Sequence, residues 1–312
     1  MKAVNYKNGK VQVFNTPPPK GDGVLVNILT SGICGTDIHL FSSDLESPHI
    51  AGHEFAGITE NGKPVAIEPY TRCGDCGSCK SGDSHLCTNN FSCFGVDSNG
   101  GMTEQMIVPE YCLVPLKDEV QTKDACLAEP LAVAFHGLVR TNTKAHHRIA
   151  VVGAGSIGLC AVAAARYIGC EVGLHAKYDH QMDAGERLGA TPISGTYDRV
   201  IDCAGVTGIM ELCQSLANPA AWIILLSVYW DQFDMPGIPA FVKELKIFPS
   251  MMYGQTNGVR DIEEAVTILA KNPQIGDIII SHRFPLDAAK EAFNTARNRK
   301  SGAIKVVFDN TL

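Results

Sequence analysis

The stretch Ile149-Ala-Val-Val-Gly-Ala-Gly-Ser-Ile-Gly158 decides the fold of the second part of this chain. Its apolar residues predict a buried strand, and its glycines follow the spacing G-x-G-x-x-G before an alanine-rich helix. In such a loop Gly153 makes a tight turn, Gly155 lets the backbone approach a pyrophosphate, and Gly158 lets the helix pack on the strand. With the next predicted strand, Glu171–Ala176, the stretch indicates a dinucleotide-binding α/β domain.

The start of that helix and the end of the second strand predict the cofactor. Ser156 and Ile157, the first residues of the helix, are expected to present free N–H groups to phosphates. An NAD enzyme usually carries Asp or Glu about 20 residues after the glycines, to bind the ribose 2′-hydroxyl. Here Ala176 occupies that position and Lys177 follows it. The missing acid beside a cation favours NADP(H), and an NAD site served by another nearby side chain is the alternative.

Two later apolar runs, Asp198–Gly205 and Trp222–Tyr229, predict further strands of the same parallel sheet. Strands that are covered on both faces are apolar almost throughout, as these runs are. Ser227 lies towards the end of the second run, where the nicotinamide of a bound dinucleotide is expected. The helical period predicts helices over Met210–Leu216 and Ile262–Ala270.

A different chemistry is gathered in the stretch Ser31–Glu54, which reads S-G-I-C-G-T-D-I-H-L-F-S-S-D-L-E-S-P-H-I-A-G-H-E. Its reactive side chains are Cys34, Thr36, Asp37, His39, His53 and Glu54. Thiolate, imidazole and carboxylate are the donors that zinc accepts in an open, catalytic site. Each residue alone is commonly a packed or surface side chain. Because Cys34 and His53 are far apart in the sequence, only a folded chain could bring them together.

The pattern C-G-T-D-x-H followed by G-H-E-x-x-G resembles the zinc-dependent medium-chain alcohol and polyol dehydrogenases, in their sorbitol and threonine dehydrogenase-like branch. The resemblance extends from the first residues to the last predicted strand. It implies an α/β protein with a mostly-β, GroES-like catalytic domain and a doubly wound Rossmann cofactor domain. The catalytic domain would be discontinuous, comprising residues 1–118 and 281–312. Residues 119–280 would form the inserted NAD(P)-binding domain.

By this resemblance the first cluster holds a catalytic zinc. Cys34 and His53 would bind the metal, and Asp37 would fix the ring of His53, as carboxylates beside metal-binding histidines do. Thr36 and His39 would form a proton relay from the substrate hydroxyl to solvent.

The acidic metal ligand is open between two residues, Glu54 and Glu129. Glu54 directly follows His53 and would be a ligand or a near neighbour. Glu129 lies at the start of a helix predicted from Ala125, where the helix dipole alone favours an acid. It belongs to an E-P-L motif that, in the polyol and threonine dehydrogenase branch, supplies a glutamate at the catalytic zinc. We therefore expect Glu129 to be the third protein ligand or its water-bridged equivalent.

A cysteine cluster predicts a second metal. Its members, spaced C-x2-C-x2-C-x7-C, are Cys73, Cys76, Cys79 and Cys87. This spacing is a strong signature of a closed structural zinc site, and neighbouring glycines supply the turns that it needs. A redox C-x-x-C pair would need only two of the four. The resembling family carries a structural zinc lobe at this place, so we expect two zinc ions per chain, one catalytic and one structural.

Composition limits the other function classes. The chain has 312 residues, 45% hydrophobic and 19% charged, and a formal net charge of −7. It therefore lacks the basic footprint of a nucleic-acid-binding protein. The N-terminus has no apolar signal region, and the longest apolar run, Ile149–Ala165, is shorter than the roughly 20 residues of a membrane span. We expect a cytoplasmic protein without membrane partners that forms a homodimer or homotetramer.

These patterns predict an oxidoreductase. The expected reaction is reversible hydride transfer between a secondary alcohol, polyol or sugar-type hydroxyl and NAD(P). The alternative is a non-catalytic NAD(P)-binding redox sensor or regulator on the same fold, whose signature would be the loss of a catalytic-zinc ligand. A zinc-free quinone or enone reductase of the same superfamily would lack both the cysteine cluster and the Cys34/His53 pair.

Overall fold

The computed structural model describes residues 1–7, 9–42, 47–230 and 233–312, and it forms two compact units. The split unit joins Met1–Glu129 to Ile262–Leu312, and the inserted unit is Pro130–Asp261. Residues 43–46, within the stretch Ser31–Glu54, lie outside the described part of the chain.

The division between the units falls at different points from the domain bounds predicted above. Residues 119–129 and 262–280, expected in the cofactor domain, group with the split unit. The first segment contains a 3₁₀ helix, Thr122–Leu127, that packs on strands of the split unit. Its Cys126 is fully buried and accepts a hydrogen bond from the Thr30 hydroxyl at 3.4 Å.

The elements are numbered here in chain order. The strands are β1 Lys2–Lys7, β2 Lys10–Asn15, β3 Val24–Gly32, β4 Glu54–Thr59, β5 Pro64–Ile67, β6 Tyr70–Thr71, β7 Ser92–Cys93, β8 Gln105–Val108, β9 Leu113–Pro115, β10 Arg148–Val152, β11 Glu171–His175, β12 Thr191–Pro192, β13 Tyr197–Asp202, β14 Ala217–Leu225, β15 Lys246–Pro249, β16 Gln255–Thr256, β17 Val259–Arg260, β18 Ile280–Phe284 and β19 Lys305–Asp309. The α-helices are α1 Gly35–Ser42, α2 Gly77–Lys80, α3 Ala128–Arg140, α4 Ser156–Ile168, α5 Asp179–Arg187, α6 Ile209–Leu216, α7 Gly237–Val242, α8 Asp261–Lys271, α9 Ile275–Ile279 and α10 Ala289–Arg297.

The split unit is built on a mostly antiparallel sheet. Its strand order is β18-β19-β3-β4-β5-β9, and β8 also pairs with β3. Alternate residues of β3, Val26 and Ile28, are buried against Phe55 and Val65, as a strand with one covered face requires. Helix α10 packs against β19 on another part of this unit. Because β3 and β4 are neighbours, the residues that follow β3 and precede β4 meet at one end of the sheet.

The inserted unit is a six-stranded parallel sheet in the order β12-β11-β10-β13-β14-β15. The chain runs outward in one direction from β10 to β12 and in the other from β13 to β15. The strand order therefore reverses between β10 and β13, and in such sheets ligands bind beside the carboxyl ends at this point. Val152 and Asp202 are paired at these two ends. The predicted combination of a GroES-like and a Rossmann fold is confirmed.

Several predicted elements are observed with shifted ends. The strand expected over Trp222–Tyr229 ends at Leu225, so Ser227 lies in the loop beyond it. The helix expected from Ala125 begins as the 3₁₀ helix, and α3 starts only at Ala128. Among the described residues, none of the helices is both long enough and apolar enough to cross a membrane.

Candidate metal and dinucleotide sites

The register of β3 and β4 brings the Cys34 and His53 regions together. The strands are antiparallel, with Gly32 opposite Glu54, so Cys34 follows one strand where His53 precedes the other. Helix α1 begins directly after Cys34. In its first turn, Asp37 Oδ2 accepts the N–H of Cys34 at 2.8 Å, which fixes the turn that presents the thiol.

Three potential ligand groups converge at this point. Single ligand atoms of Cys34, His53 and Glu54 all lie within 4.8 Å of one another. His53 is buried, and its Nδ1 lies 3.9 Å from Asp37 Oδ1 with no hydrogen-bond partner among the described residues. Three of the four side chains that the sequence suggested as ligands of the catalytic metal, Cys34, His53 and Glu54, are therefore adjacent.

The electrostatics of this cluster favour a positive charge. Burial lowers the pKa of His53, but Cys34 and Asp37 oppose it and hold that pKa well above its ordinary value. Asp37 is fully buried, and burial raises the pKa of its carboxyl while His53 lowers it. A buried imidazole that gains affinity for a proton in this way is surrounded by groups that also suit a metal cation.

Glu54 is already paired. Lys305 Nζ, from β19, donates to Glu54 Oε1 at 2.8 Å and Oε2 at 2.6 Å, and also to the carbonyl of Ile33 at 3.1 Å. Both side chains are almost completely buried. A buried lysine so far along the sequence gives no local signal of this pairing, and the sequence analysis missed it.

Glu129 is a second buried carboxyl near the cluster, although it lies outside the 4.8 Å group. Burial raises the pKa of Glu129 to about 8; His53 and Lys305 oppose the shift, while Glu54 adds to it. Glu129 thus lies at the start of α3, as the helix prediction placed it. The pKa of its carboxyl depends on the charges of the Cys34/His53 cluster.

The two residues of the suggested proton relay lie on one element. Thr36 and His39 are both half-buried on α1, the helix that follows Cys34. Their role in moving a proton stays a prediction.

The four-cysteine lobe forms a second cluster. Ligand atoms of Cys73, Cys76, Cys79 and Cys87 all lie within 4.8 Å of one another, and the four thiols are free of disulfides. Backbone N–H groups of Cys76 and Cys73 point at the sulfurs of Cys73 and Cys87, each at 3.3 Å. Such donors stabilise thiolate, and hydrogen bonds from the Cys79 and Thr88 backbone lower the pKa of Cys76 to about 6. This arrangement suits a tetrahedral zinc.

The glycine loop has the geometry expected of a dinucleotide site. Gly153 has φ +101°, a left-handed conformation that favours glycine. A Cβ on Gly158 would lie 1.9 Å from the Gly153 carbonyl oxygen, so only glycine allows α4 to start here. Gly155 precedes the first turn in an extended conformation, and Ser156 and Ile157 open the helix, half-buried. The N–H groups of this turn are therefore available to phosphates.

The end of β11 carries no acid. The strand ends at His175, and the half-buried Ala176 is followed by the exposed Lys177. The ammonium of Lys177 lies 5.7 Å from the centre of the Tyr178 ring. Asp179 comes only afterwards, at the exposed start of α5.

Ser227 differs from its predicted role in one respect. Its hydroxyl donates a hydrogen bond to Asp202 Oδ2 at 2.7 Å. The donor that was predicted to face the cofactor is therefore used within the protein. The loop that contains it lies beyond the carboxyl end of β14, next to β13.

Several known proteins resemble this chain in sequence and in fold. Residues 20–118 match the alcohol dehydrogenase GroES-like domain family. The chain is 27% identical to L-galactonate-5-dehydrogenase of Escherichia coli K12 over 308 residues, which cover 89% of this chain and 88% of the relative. It is 26% identical to L-idonate 5-dehydrogenase of Vitis vinifera over 347 aligned positions, covering 98% and 93%.

A solved structure supports the same placement. A dehydrogenase from Sinorhizobium meliloti 1021, bound to NADP, superposes with a TM-score of 0.86 at 26% identity over 99% of this chain and 98% of its own. The matched domain, the relatives and the shared two-unit fold confirm the predicted resemblance. Residues 20–118 therefore belong to the alcohol dehydrogenase GroES-like domain family, and the chain as a whole is similar to medium-chain alcohol and polyol dehydrogenases.

Proposed function

We propose that this chain is a zinc-dependent oxidoreductase that transfers hydride reversibly between a secondary alcohol, polyol or sugar-type hydroxyl and NAD(P). The convergence of Cys34, His53 and buried carboxyls in the split unit carries the proposal. The doubly wound sheet with its glycine loop supports the cofactor. Relatives named for sugar-acid dehydrogenation favour a polyhydroxylated substrate. They give no support to the alternative of a non-catalytic sensor.

The residues at the first site fit a zinc ion. The set offers a thiol, an imidazole and a carboxyl, and the buried His53 Nδ1 faces Asp37 rather than the other donors. We assign Cys34, His53 and Glu129 as the groups that would hold the metal. When bound, zinc would act as a Lewis acid that lowers the pKa of a substrate hydroxyl.

We prefer Glu129 to Glu54 as the acidic ligand, although Glu54 lies closer. Both oxygens of Glu54 accept hydrogen bonds from Lys305, so its charge is already neutralised. Glu129 has a pKa raised to about 8 and would lose its proton when a cation enters, because a metal and a proton compete for a ligand. Glu54 and Lys305 would instead hold the backbone around Cys34 and His53.

The surrounding residues would orient and move protons. Asp37 holds the turn of Cys34 and lies 3.9 Å from Nδ1 of His53, where it would fix the ring once the metal is bound. Thr36 and His39 would carry the substrate proton to solvent along α1. The four cysteines of the second cluster would hold a structural zinc that takes no part in the chemistry.

For the cofactor we favour NADP(H). Ala176 and Lys177 leave room and positive charge where an NAD enzyme has an acid. The S. meliloti protein, at 26% identity, was solved with NADP. Dissociation constants for NADPH and NADH decide the question: tighter NADPH binding that is lost in Lys177→Glu supports it, and tighter NADH binding contradicts it.

The decisive experiment measures initial rates with polyols, sugar acids and secondary alcohols. Each is offered with NAD and with NADP, before and after removal of metal by a chelator. Chelator-sensitive reduction of one cofactor, restored by added zinc, is expected. Turnover that persists in protein shown to contain no metal would contradict the zinc-dependent mechanism.

We further propose that the protein is a cytoplasmic homo-oligomer whose copies meet at α7 and β15. Ile238, Phe241 and Val242 on α7 are 79%, 85% and 72% exposed, an unusual apolar surface for a monomer. Strand β15 is the open edge of its sheet, and two equal edges can pair about a twofold axis. Light scattering should give a dimer or larger species that Phe241→Asp dissociates; a monomeric wild type would contradict this.

A further inference from the structure

Asp202 is a buried carboxylate that the proposed chemistry does not use. It is the last residue of β13 and has no exposed surface. None of the ion pairs among the described residues includes it. A buried carboxylate normally needs a cationic partner or several hydrogen bonds.

Four neutral donors stabilise it instead. Asp202 Oδ1 accepts the N–H groups of Ala204 at 2.8 Å and Gly205 at 3.2 Å. Asp202 Oδ2 accepts the hydroxyls of Ser227 at 2.7 Å and Tyr229 at 2.5 Å. Hydrogen bonds of this kind keep a carboxylate ionised without cancelling its charge.

The position of this charge is fixed by the topology. β13 pairs with β10 at the place where the strand order reverses, which is where a doubly wound sheet binds a dinucleotide. The two hydroxyl donors lie in the loop after β14, where the nicotinamide is expected. An ideal Cβ on Gly153 would lie 3.0 Å from the Ala204 nitrogen, so the segment capped by Asp202 packs against the glycine loop.

We infer that Asp202 is a positioning residue that also tunes the cofactor's redox preference. The oxidised nicotinamide ring carries one positive charge and the reduced ring is neutral. A fixed negative charge at the end of β13, near the expected ring site, therefore stabilises the oxidised cofactor relative to the reduced one. This inference rests on the proposed NAD(P) site, and it assigns to Asp202 a selectivity between the two redox forms.

Asp202→Asn is a well-matched test. Asparagine keeps the shape, and its Oδ1 can still accept from Ala204 and Gly205. Its amide can donate to the Ser227 and Tyr229 hydroxyls, because a hydroxyl can reverse from donor to acceptor. The variant therefore removes the charge and keeps the hydrogen bonds. Tyr229→Phe is the complementary control, since it removes one donor and keeps the charge.

The measurement is the ratio of the dissociation constants of oxidised and reduced cofactor, by calorimetry on the full chain with NADP⁺ and NADPH. We expect Asp202→Asn to weaken oxidised-cofactor binding relative to reduced by about tenfold, the effect of one unit charge at a partly screened separation. In Tyr229→Phe the ratio of the two dissociation constants should stay unchanged or shift in favour of the oxidised cofactor, because the charge of Asp202 is kept.

Equal weakening of both forms in Asp202→Asn would reduce Asp202 to a purely structural residue and overturn the inference. A shift of the ratio in Tyr229→Phe towards the reduced cofactor would also overturn the inference. This second variant remains informative if the asparagine variant does not fold. Failure of the wild type to bind either NADP(H) or NAD(H) would instead contradict the proposed function.

Discussion

The two candidate metal sites of this protein differ in where their ligands come from in the sequence and in the charges that surround them. The four-cysteine lobe takes all its groups from residues 73–87, and its thiols are surrounded by neutral backbone N–H donors. The Cys34/His53 cluster gathers groups from distant segments and buries them with carboxyls and the ammonium of Lys305. The four-cysteine lobe suits a closed structural site. The Cys34/His53 cluster instead has charged side chains close enough to act on a bound metal or substrate.

The largest effect is expected at the Cys34/His53 cluster, where a substitution should affect activity more than stability. Cys34→Ser should lower kcat/KM by about 10³-fold, because a metal contributes several kcal/mol to transition-state stabilisation. Its melting temperature should stay within a few degrees of the wild type. The control is Cys112→Ser, a buried thiol whose hydrogen bond to the Tyr70 carbonyl serine can keep. Near-normal turnover in Cys34→Ser would remove Cys34 from the catalytic site.

Lys305→Met comes next. It leaves Glu54 buried without its partner, and breaking a buried pair in this way costs about 3–5 kcal/mol of unfolding free energy. Adding Glu54→Gln should recover a large part of that loss, because no uncompensated charge then remains. Urea unfolding of the two single variants and the double variant measures the coupling, and additive losses would show that the pair is unimportant.

At the cysteine lobe the expected effect is on stability. Cys76→Ser should reduce the zinc content from two ions per chain to one. The melting temperature should fall by about 5–10 °C, the shift that a loss of 2–3 kcal/mol gives in a domain of this size. Activity per folded molecule should persist at low temperature. If activity falls as far as in Cys34→Ser, the assignment of a structural role to the four-cysteine lobe is wrong.

The smallest effect, taken per pH unit, concerns Glu129 in metal-stripped protein. Its folded pKa is raised by burial to about 8, so between pH 5 and 7 the folded state holds a proton that the unfolded state has lost. Stability from this group is therefore present at acid pH and falls, by about 1.4 kcal/mol per pH unit, as pH rises towards 8. Glu129→Gln should make this slope shallower, and the part that remains is assigned to His53, whose pKa is also raised well above its ordinary value. An unchanged slope would place the titrating group elsewhere.

The geometry of a site was predicted correctly where it depends on local spacing. The glycines of the dinucleotide loop and the four cysteines are each close together in the sequence, so their geometry follows from the chain itself. Cys34 and His53 were recognised only by resemblance, since their proximity depends on the pairing of β3 with β4. Elements with a strong period, such as α6 and α8, were also predicted to within a residue or two.

What was missed depends on long-range packing. No local pattern links Lys305 to Glu54, because the pair forms only through the β19–β3–β4 sheet. Asp202 lay within the predicted strand Asp198–Gly205 and was not singled out, and the hydrogen bond that it accepts from the Ser227 hydroxyl could not be anticipated from spacing. The two units divide after Glu129 and not after residue 118, because the 3₁₀ helix Thr122–Leu127 packs on strands of the split unit, and no local sequence signal marks that packing.

The position of Lys305 has a consequence for how the protein is made. During synthesis the inserted unit, Pro130–Asp261, is contiguous and has all its strands available before the ribosome reaches β18. The split unit must wait, because β19 lies beside β3 and carries the cation that neutralises Glu54. Until then Glu54 has no cation to accompany its burial, and β3 presents an open strand edge, a feature that exposes a nascent chain to aggregation. Assembly of the proposed catalytic site is thus a late event in biogenesis, after the cofactor-binding half is able to fold.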